Sequence, residues 1–125
     1  MVIGIGTDLI EIARIEQSIA RFGDRFLERV FTPAEMLYCR RKKNAAESFA
    51  ARFAAKEAGA KALGTGISHG ISWLELEVLR EPTGKPTLAL TGRAAARAQS
   101  LGVARISLSL THSRTTALAI VLMES

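Results

Sequence analysis

Ala45-Ala-Glu-Ser-Phe-Ala-Ala-Arg-Phe-Ala-Ala-Lys-Glu-Ala-Gly-Ala-Lys-Ala-Leu63 is rich in alanine, the strongest helix former. It has no proline and one interior glycine, and it stops before Gly64, a residue suited to ending a helix. At about 100° per residue, Ala46, Phe49, Phe53 and Ala60 fall on one side of the predicted helix. Ala51, Ala55, Ala58 and Ala62 form the opposite side, smooth enough for close packing. A surface helix normally sets its charges opposite its aromatics. Here Arg52, Lys56, Glu57 and Lys61 flank the phenylalanines instead, which predicts a central helix lining a polar cleft.

The segments around this helix read as a mixed α+β chain. Met1 to Ile5 is expected as a buried strand, with Gly4 and Gly6 leaving room for something to approach the backbone. Thr7-Asp8 is expected at its end, followed by a helical period over Leu9 to Phe22 with Ile12, Ile15, Ile19 and Phe22 buried. Gly23 is the expected stop. Arg14, Arg21 and Arg25, spaced seven and four apart, share one exposed edge if the helix reaches that far. Thr32-Pro33-Ala34-Glu35 starts the next helix, with a threonine cap, proline in the first turn and a glutamate that completes a capping box. That helix runs into the basic stretch Arg40-Arg41-Lys42-Lys43.

Beyond the central helix, Gly64 to Gly70 is a flexible connection containing His69. Ile71 to Leu79 and Thr87 to Leu90 are strands of a hairpin turning at Pro82-Thr83-Gly84-Lys85-Pro86, with Trp73 assigned to packing. Gly92 to Leu101 is a helix stopped by Gly102. Arg105 to Leu110 and Ala117 to Met123 are two more strands joined across Thr111 to Arg114. Hairpin connections imply a largely antiparallel sheet.

With 125 residues, 48% hydrophobic and 23% charged, the chain fits one domain spanning 1–125. A lone cysteine, Cys39, excludes an internal disulfide and suits a reducing cytoplasm. No basic leader precedes the apolar opening, which Asp8 interrupts, and no run is long enough for a membrane span. The net charge of +5 points to an anionic partner, and seven basic against three acidic residues between Arg21 and Lys43 hold most of the excess. Nucleic acid fits poorly: aromatics make up 6% of the chain, and no helix-turn-helix or RNP pattern occurs.

Phosphate-loop, HExxH, CxxC and GxSxG motifs are all missing. Two carboxylates, Asp8 at a strand end and Glu57 on the central helix, lie near lysines and arginines. Such a pair suits Mg²⁺, which favours one or two protein carboxylates and completes its octahedron with water and substrate phosphate oxygens. The same residues also admit a structural reading, in which Asp8 caps the following helix and Glu57 pairs with Lys61 at i,i+4.

Gly4-Ile5-Gly6-Thr7-Asp8-Leu9-Ile10-Glu11-Ile12 with Arg14, and Phe49-Ala50-Ala51-Arg52-Phe53-Ala54-Ala55-Lys56-Glu57-Ala58 with Lys61 to Gly66, decide between them. Together with Ser72-Trp73, Gly84-Lys85-Pro86 and Ser109-Leu110-Thr111-His112-Ser113, these stretches resemble the holo-[acyl-carrier-protein] synthase family of 4′-phosphopantetheinyl transferases. The likeness runs from first strand to last; Glu75 stands where the family commonly has aspartate. The resemblance implies transfer of 4′-phosphopantetheine from coenzyme A to a serine of apo acyl carrier protein, releasing adenosine 3′,5′-bisphosphate, in fatty acid biosynthesis. It implies Mg²⁺ held by Asp8 and Glu57, Glu57 as base, directly or through water, and Lys61 beside the departing phosphate. Arg52, His112 and Ser113 would contact coenzyme A phosphates, and Gly84-Lys85-Pro86 would border the adenine. Arg14, Arg21 and Arg25 would dock the acidic carrier, and the family's trimer would share each active site between neighbouring subunits. A non-catalytic carrier-binding protein would keep the arginine edge without Asp8, Glu57 and Lys61 together.

Overall fold

The alanine-rich stretch folds as the longest helix of a computed structural model that describes all residues 1–125. In chain order the elements are β1 (Val2–Glu11), α1 (Ile12–Phe22), α2 (Asp24–Val30), α3 (Pro33–Arg40), α4 (Ala45–Ala62), β2 (Leu76–Arg80), β3 (Pro86–Leu90), α5 (Gly92–Leu101), β4 (Arg105–His112) and β5 (Thr116–Glu124), with a one-turn 3-10 helix at Trp73–Glu75. Asn44 caps α4 by accepting from the Glu47 amide at 3.2 Å. Thr32 and Glu35 form the expected capping box on α3.

All strand pairs are antiparallel. A three-stranded sheet has the order β1-β5-β4, and β2 and β3 form a separate hairpin. Helix α4 lies against the three-stranded sheet, chiefly on β1 and β5. Gly4 and Gly6 explain how closely it lies: a Cβ on either would collide with the carbonyl oxygens of Ala62 and Ala58. The space foreseen beside those glycines is therefore filled by the alanine side of α4.

Two expectations about this region are corrected. β1 does not end at Asp8 but continues to Glu11, pairing through Leu9↔Leu118 and Glu11↔Thr116. Its inward residues Gly4, Gly6, Asp8 and Ile10 alternate at the strand period, and that pattern overrides the helical one read from Leu9 onward. Phe22, expected in the core, is half exposed at 50%, because α1 stops at Phe22 and the chain turns at Gly23.

The polar-cleft picture of α4 also changes. Eleven of its residues are buried, so the helix is enclosed on most sides. Lys56 is fully buried, with its ammonium 2.7 Å from Glu35 Oε1 on α3. It also donates to the carbonyls of Leu76 (2.7 Å) and Trp73 (3.1 Å). Glu35 in turn accepts from the Val78 amide at 2.8 Å. Desolvation holds Lys56 below the usual lysine range, against the opposing pull of Glu35. Lys56 and Glu35 thus pin α3, α4 and β2 together.

Candidate active site

The inward face of β1 carries Asp8 opposite Ala119, on the side where α4 packs. Lys61, one helical turn beyond Glu57, spans the gap: its ammonium lies 3.2 Å from Asp8 Oδ1 and donates to the Thr7 carbonyl at 3.0 Å. Asp8, 49 positions before Glu57 in the chain, is thereby tied to α4 one helical turn beyond Glu57. The alternative pairing of Glu57 with Lys61 does not form. Glu57 instead accepts a hydrogen bond from Trp73 Nε1 at 3.1 Å. Asp8 caps no helix either, since Glu11 holds the N-cap position of α1 without a side-chain bond.

A metal with a full protein ligand set finds no home, because no three His, Cys, Asp or Glu side chains converge anywhere. Asp8 on β1 and Glu57 on α4, two elements packed on each other, are the carboxylates that could hold Mg²⁺, an ion that takes only one or two from a protein and fills its octahedron with water and substrate phosphate oxygens.

The other expected contacts occupy separate places. Arg52 is only 3% exposed and is not the free surface cation its spacing suggests; it bonds to the Ser48 carbonyl and stacks 4.2 Å from the centre of the Tyr38 ring. Lys42 (4.7 Å) and Arg80 (5.3 Å) face the same ring, and Arg80 also donates to the Gly84 carbonyl. A cationic cluster around Tyr38 therefore adjoins the Gly84-Lys85-Pro86 turn. Burial would raise the Tyr38 phenol, but the Lys42, Arg80 and Arg52 charges outweigh it and hold it below the usual tyrosine value. His112 lies 3.4 Å from Glu47 on the first turn of α4. The Ser113 hydroxyl is engaged by Thr116 Oγ1 and by the amides of Thr115 and Thr116, so it shapes the β4–β5 turn. Neither His112 nor Ser113 shares a hydrogen bond or ion pair with Arg52, Asp8 or Glu57.

Arg14 and Arg21 are exposed on α1, whereas Arg25 belongs to α2. They still border one surface, since Phe22 lines both the hollow holding Arg14 and Arg21 and the next one holding Arg25.

The model of the 4′-phosphopantetheinyl transferase superfamily matches residues 4–121. The chain belongs to the 4′-phosphopantetheinyl transferase superfamily. Within it, the chain is 55% identical over 124 residues to the holo-[acyl-carrier-protein] synthase of Koribacter versatilis (strain Ellin345), covering 99% of each chain. Its counterpart from Solibacter usitatus (strain Ellin6076) is 52% identical over 125 residues and full coverage of both. Among solved structures, the holo-[acyl-carrier-protein] synthase of Neisseria meningitidis superposes with a TM-score of 0.92 at 36% identity, covering all of both chains. The Helicobacter pylori enzyme in complex with coenzyme A gives a TM-score of 0.85 at 34% identity, covering 96% of this chain and 99% of that one.

Three features of this transferase are not legible in its sequence: the Trp73–Glu57 bond, the Lys56–Glu35 pair and the Tyr38 cluster. The capping box accounts for Glu35 on its own, and Trp73 carries no periodic signal that separates a donor from a packing ring.

Proposed function

We propose that this chain is a holo-[acyl-carrier-protein] synthase, moving 4′-phosphopantetheine from coenzyme A to a serine of apo acyl carrier protein. The observation that carries the site assignment is the Lys61–Asp8 ion pair, which joins the two signature stretches within one helical turn of Glu57. Asp8 and Glu57 hold Mg²⁺, which when bound neutralises pyrophosphate charge and orients the β-phosphorus. Glu57, directly or through water, takes the proton of the attacking serine hydroxyl. Lys61, half exposed at 52%, stabilises the phosphate of the departing adenosine 3′,5′-bisphosphate. Phosphoryl transfer asks chiefly for positioning and charge stabilisation, and these side chains offer both.

The exposed Lys42 and Arg80, backed by buried Arg52, suit the remaining coenzyme A phosphate, with Gly84-Lys85-Pro86 beside the adenine. His112 and Ser113 act as further phosphate contacts at the β4–β5 turn. The Arg14, Arg21 and Arg25 surface docks the acidic carrier, a contact that salt weakens. No helix is long and apolar enough to cross a membrane. Cytoplasmic action as a homotrimer, with active sites at subunit contacts, completes the reading.

Incubation with coenzyme A, Mg²⁺ and apo carrier, followed by mass spectrometry of the carrier, tests it. Wild-type protein adds the phosphopantetheine mass. Glu57→Gln and Asp8→Asn lower the rate by at least about 100-fold with circular dichroism unchanged. Arg14→Ala leaves kcat in place and raises the KM for carrier by about tenfold. Wild-type turnover by Glu57→Gln would remove Glu57 from the mechanism.

A further inference from the structure

Asp8 and Glu57 are held in different ways. Asp8 is steadied by a cation, Lys61, which offsets part of its charge. Glu57 is steadied by a neutral donor, the Trp73 indole N–H at 3.1 Å, and no other protein group hydrogen-bonds or ion-pairs with its carboxylate. A neutral donor fixes a carboxylate's orientation while leaving its negative charge uncompensated, which is what a group that must hold a cation or receive a proton requires. Glutamate is long and flexible, and Glu57 is half-buried at the edge of the site, so without such a bond its oxygens would sample many positions.

Trp73 is itself held through both its backbone and its ring. Its backbone carbonyl accepts from the fully buried Lys56, whose charge is met by Glu35 at 2.7 Å. Its ring lies against Phe53 with centroids 6.2 Å apart, and the Arg29 guanidinium sits 5.9 Å from its centre. Downstream, the 3-10 turn is closed by the Ser72–Glu75 capping box, and Glu75 accepts from the Arg93 amide at 2.5 Å. A chain of contacts thus runs from a buried ion pair through one residue to the carboxylate at the site.

We infer that Trp73 is a positioning residue for Glu57: its indole N–H fixes Glu57 Oε1, and the Lys56–Glu35 pair anchors the Trp73 backbone beneath it. The inference rests on the reading of Glu57 as metal ligand and base. It makes Oε2, which carries no hydrogen bond, the oxygen available for chemistry. It also gives Lys56 and Glu57, adjacent in sequence, complementary duties, one inside the core and one at its edge.

Trp73→Phe keeps an aromatic ring against Phe53 and removes the N–H together with the pyrrole part of the indole. Mn²⁺, as a paramagnetic stand-in for Mg²⁺, is titrated in the presence of coenzyme A and followed by electron paramagnetic resonance. Trp73→Phe is expected to weaken Mn²⁺ uptake by about 10- to 100-fold, the usual effect of losing a hydrogen bond behind a metal ligand. Its kcat falls by a similar factor, its KM for coenzyme A stays within about twofold, and its thermal midpoint stays near wild type. Trp73 is the only tryptophan, so selectively excited emission reports on it alone, and Glu57→Ala should shift that emission. If wild type binds Mn²⁺ and modifies carrier while Trp73→Phe matches it in both, the positioning role is overturned and the Glu57 assignment stands. If wild type neither binds Mn²⁺ nor modifies carrier, the parent reading fails and this inference falls with it. Emission unchanged in Glu57→Ala would overturn the contact itself.

Discussion

Cys39 sits fully buried on α3, and desolvation pushes its thiol from 9.0 up to about 11, against the lowering charge of Arg52. In the unfolded chain the same thiol ionises near its ordinary value. Between the two values the unfolded state binds fewer protons than the folded one, so stability contributed by Cys39 is lost as pH rises from 9 toward 11. Lys56 and Tyr38, both held below their ordinary values, act in the opposite direction, because there the unfolded chain keeps protons that the folded one has released. Comparison with Cys39→Ala isolates the thiol apart from its own charge coupling to Lys56. Denaturant titrations of the pair should show wild type losing about 2 kcal/mol relative to the variant by pH 11. A difference between wild type and variant that is flat with pH would mean that the buried site does not resist thiolate formation.

The contact between β1 and α4 decides where Asp8 and Lys61 stand. Gly6 is buried with the Ala58 carbonyl where its side chain would be, and neither backbone can retreat without dragging the strand off β5 or the helix off the core. Gly6→Ala should therefore cost about 3 kcal/mol or more in denaturant unfolding, the upper end for overpacking a core. It should also weaken activity beyond the stability loss, since Asp8 is two residues away on the same face. Cost near zero would mean the strand slides easily. This contact was half legible in the sequence. The glycine pair and the alanine side of α4 each announced close packing, but pattern alone does not say that they pack on each other. The capping box, Gly23, the hairpin and Gly92–Leu101 were readable because each is set by nearby residues. The strand extension to Glu11 was not, because Leu9, Ile10 and Ile12 satisfy two periods and pairing with β5, more than a hundred residues away, chooses between them. Likewise Asp8, Glu57 and Lys61 were nameable as candidates from their signatures, whereas the Trp73 bond depends on where the 3-10 turn after α4 lands.

On the scale of the whole molecule, the three-stranded sheet covers only one of its faces. Ile5 pairs with Leu122, Thr7 with Ile120 and Leu9 with Leu118, so these residues share the side away from α4. Ile5 is 59% exposed, Leu9 64% and Ile120 37%, beside half-buried Leu118 and Leu122. Ser107, Ser109 and Thr111 of β4 border the stripe without adding a charge. Burying a single such aliphatic side chain is worth about 1.5–3 kcal/mol, and a contiguous apolar sheet face with a polar margin is the usual mark of a contact surface. The proposed trimer places this face at its subunit contacts, next to the β1 strand that bears Asp8. Light scattering after gel filtration should then give three times the 13.5 kDa chain mass. Ile120→Glu, which adds a charge to the middle of the stripe and leaves Asp8, Glu57 and Lys61 untouched, should reduce that to the chain mass. Carrier modification should fall with it if neighbouring subunits complete the site. A wild-type protein that elutes at the chain mass and still modifies carrier at full rate would show that one copy suffices.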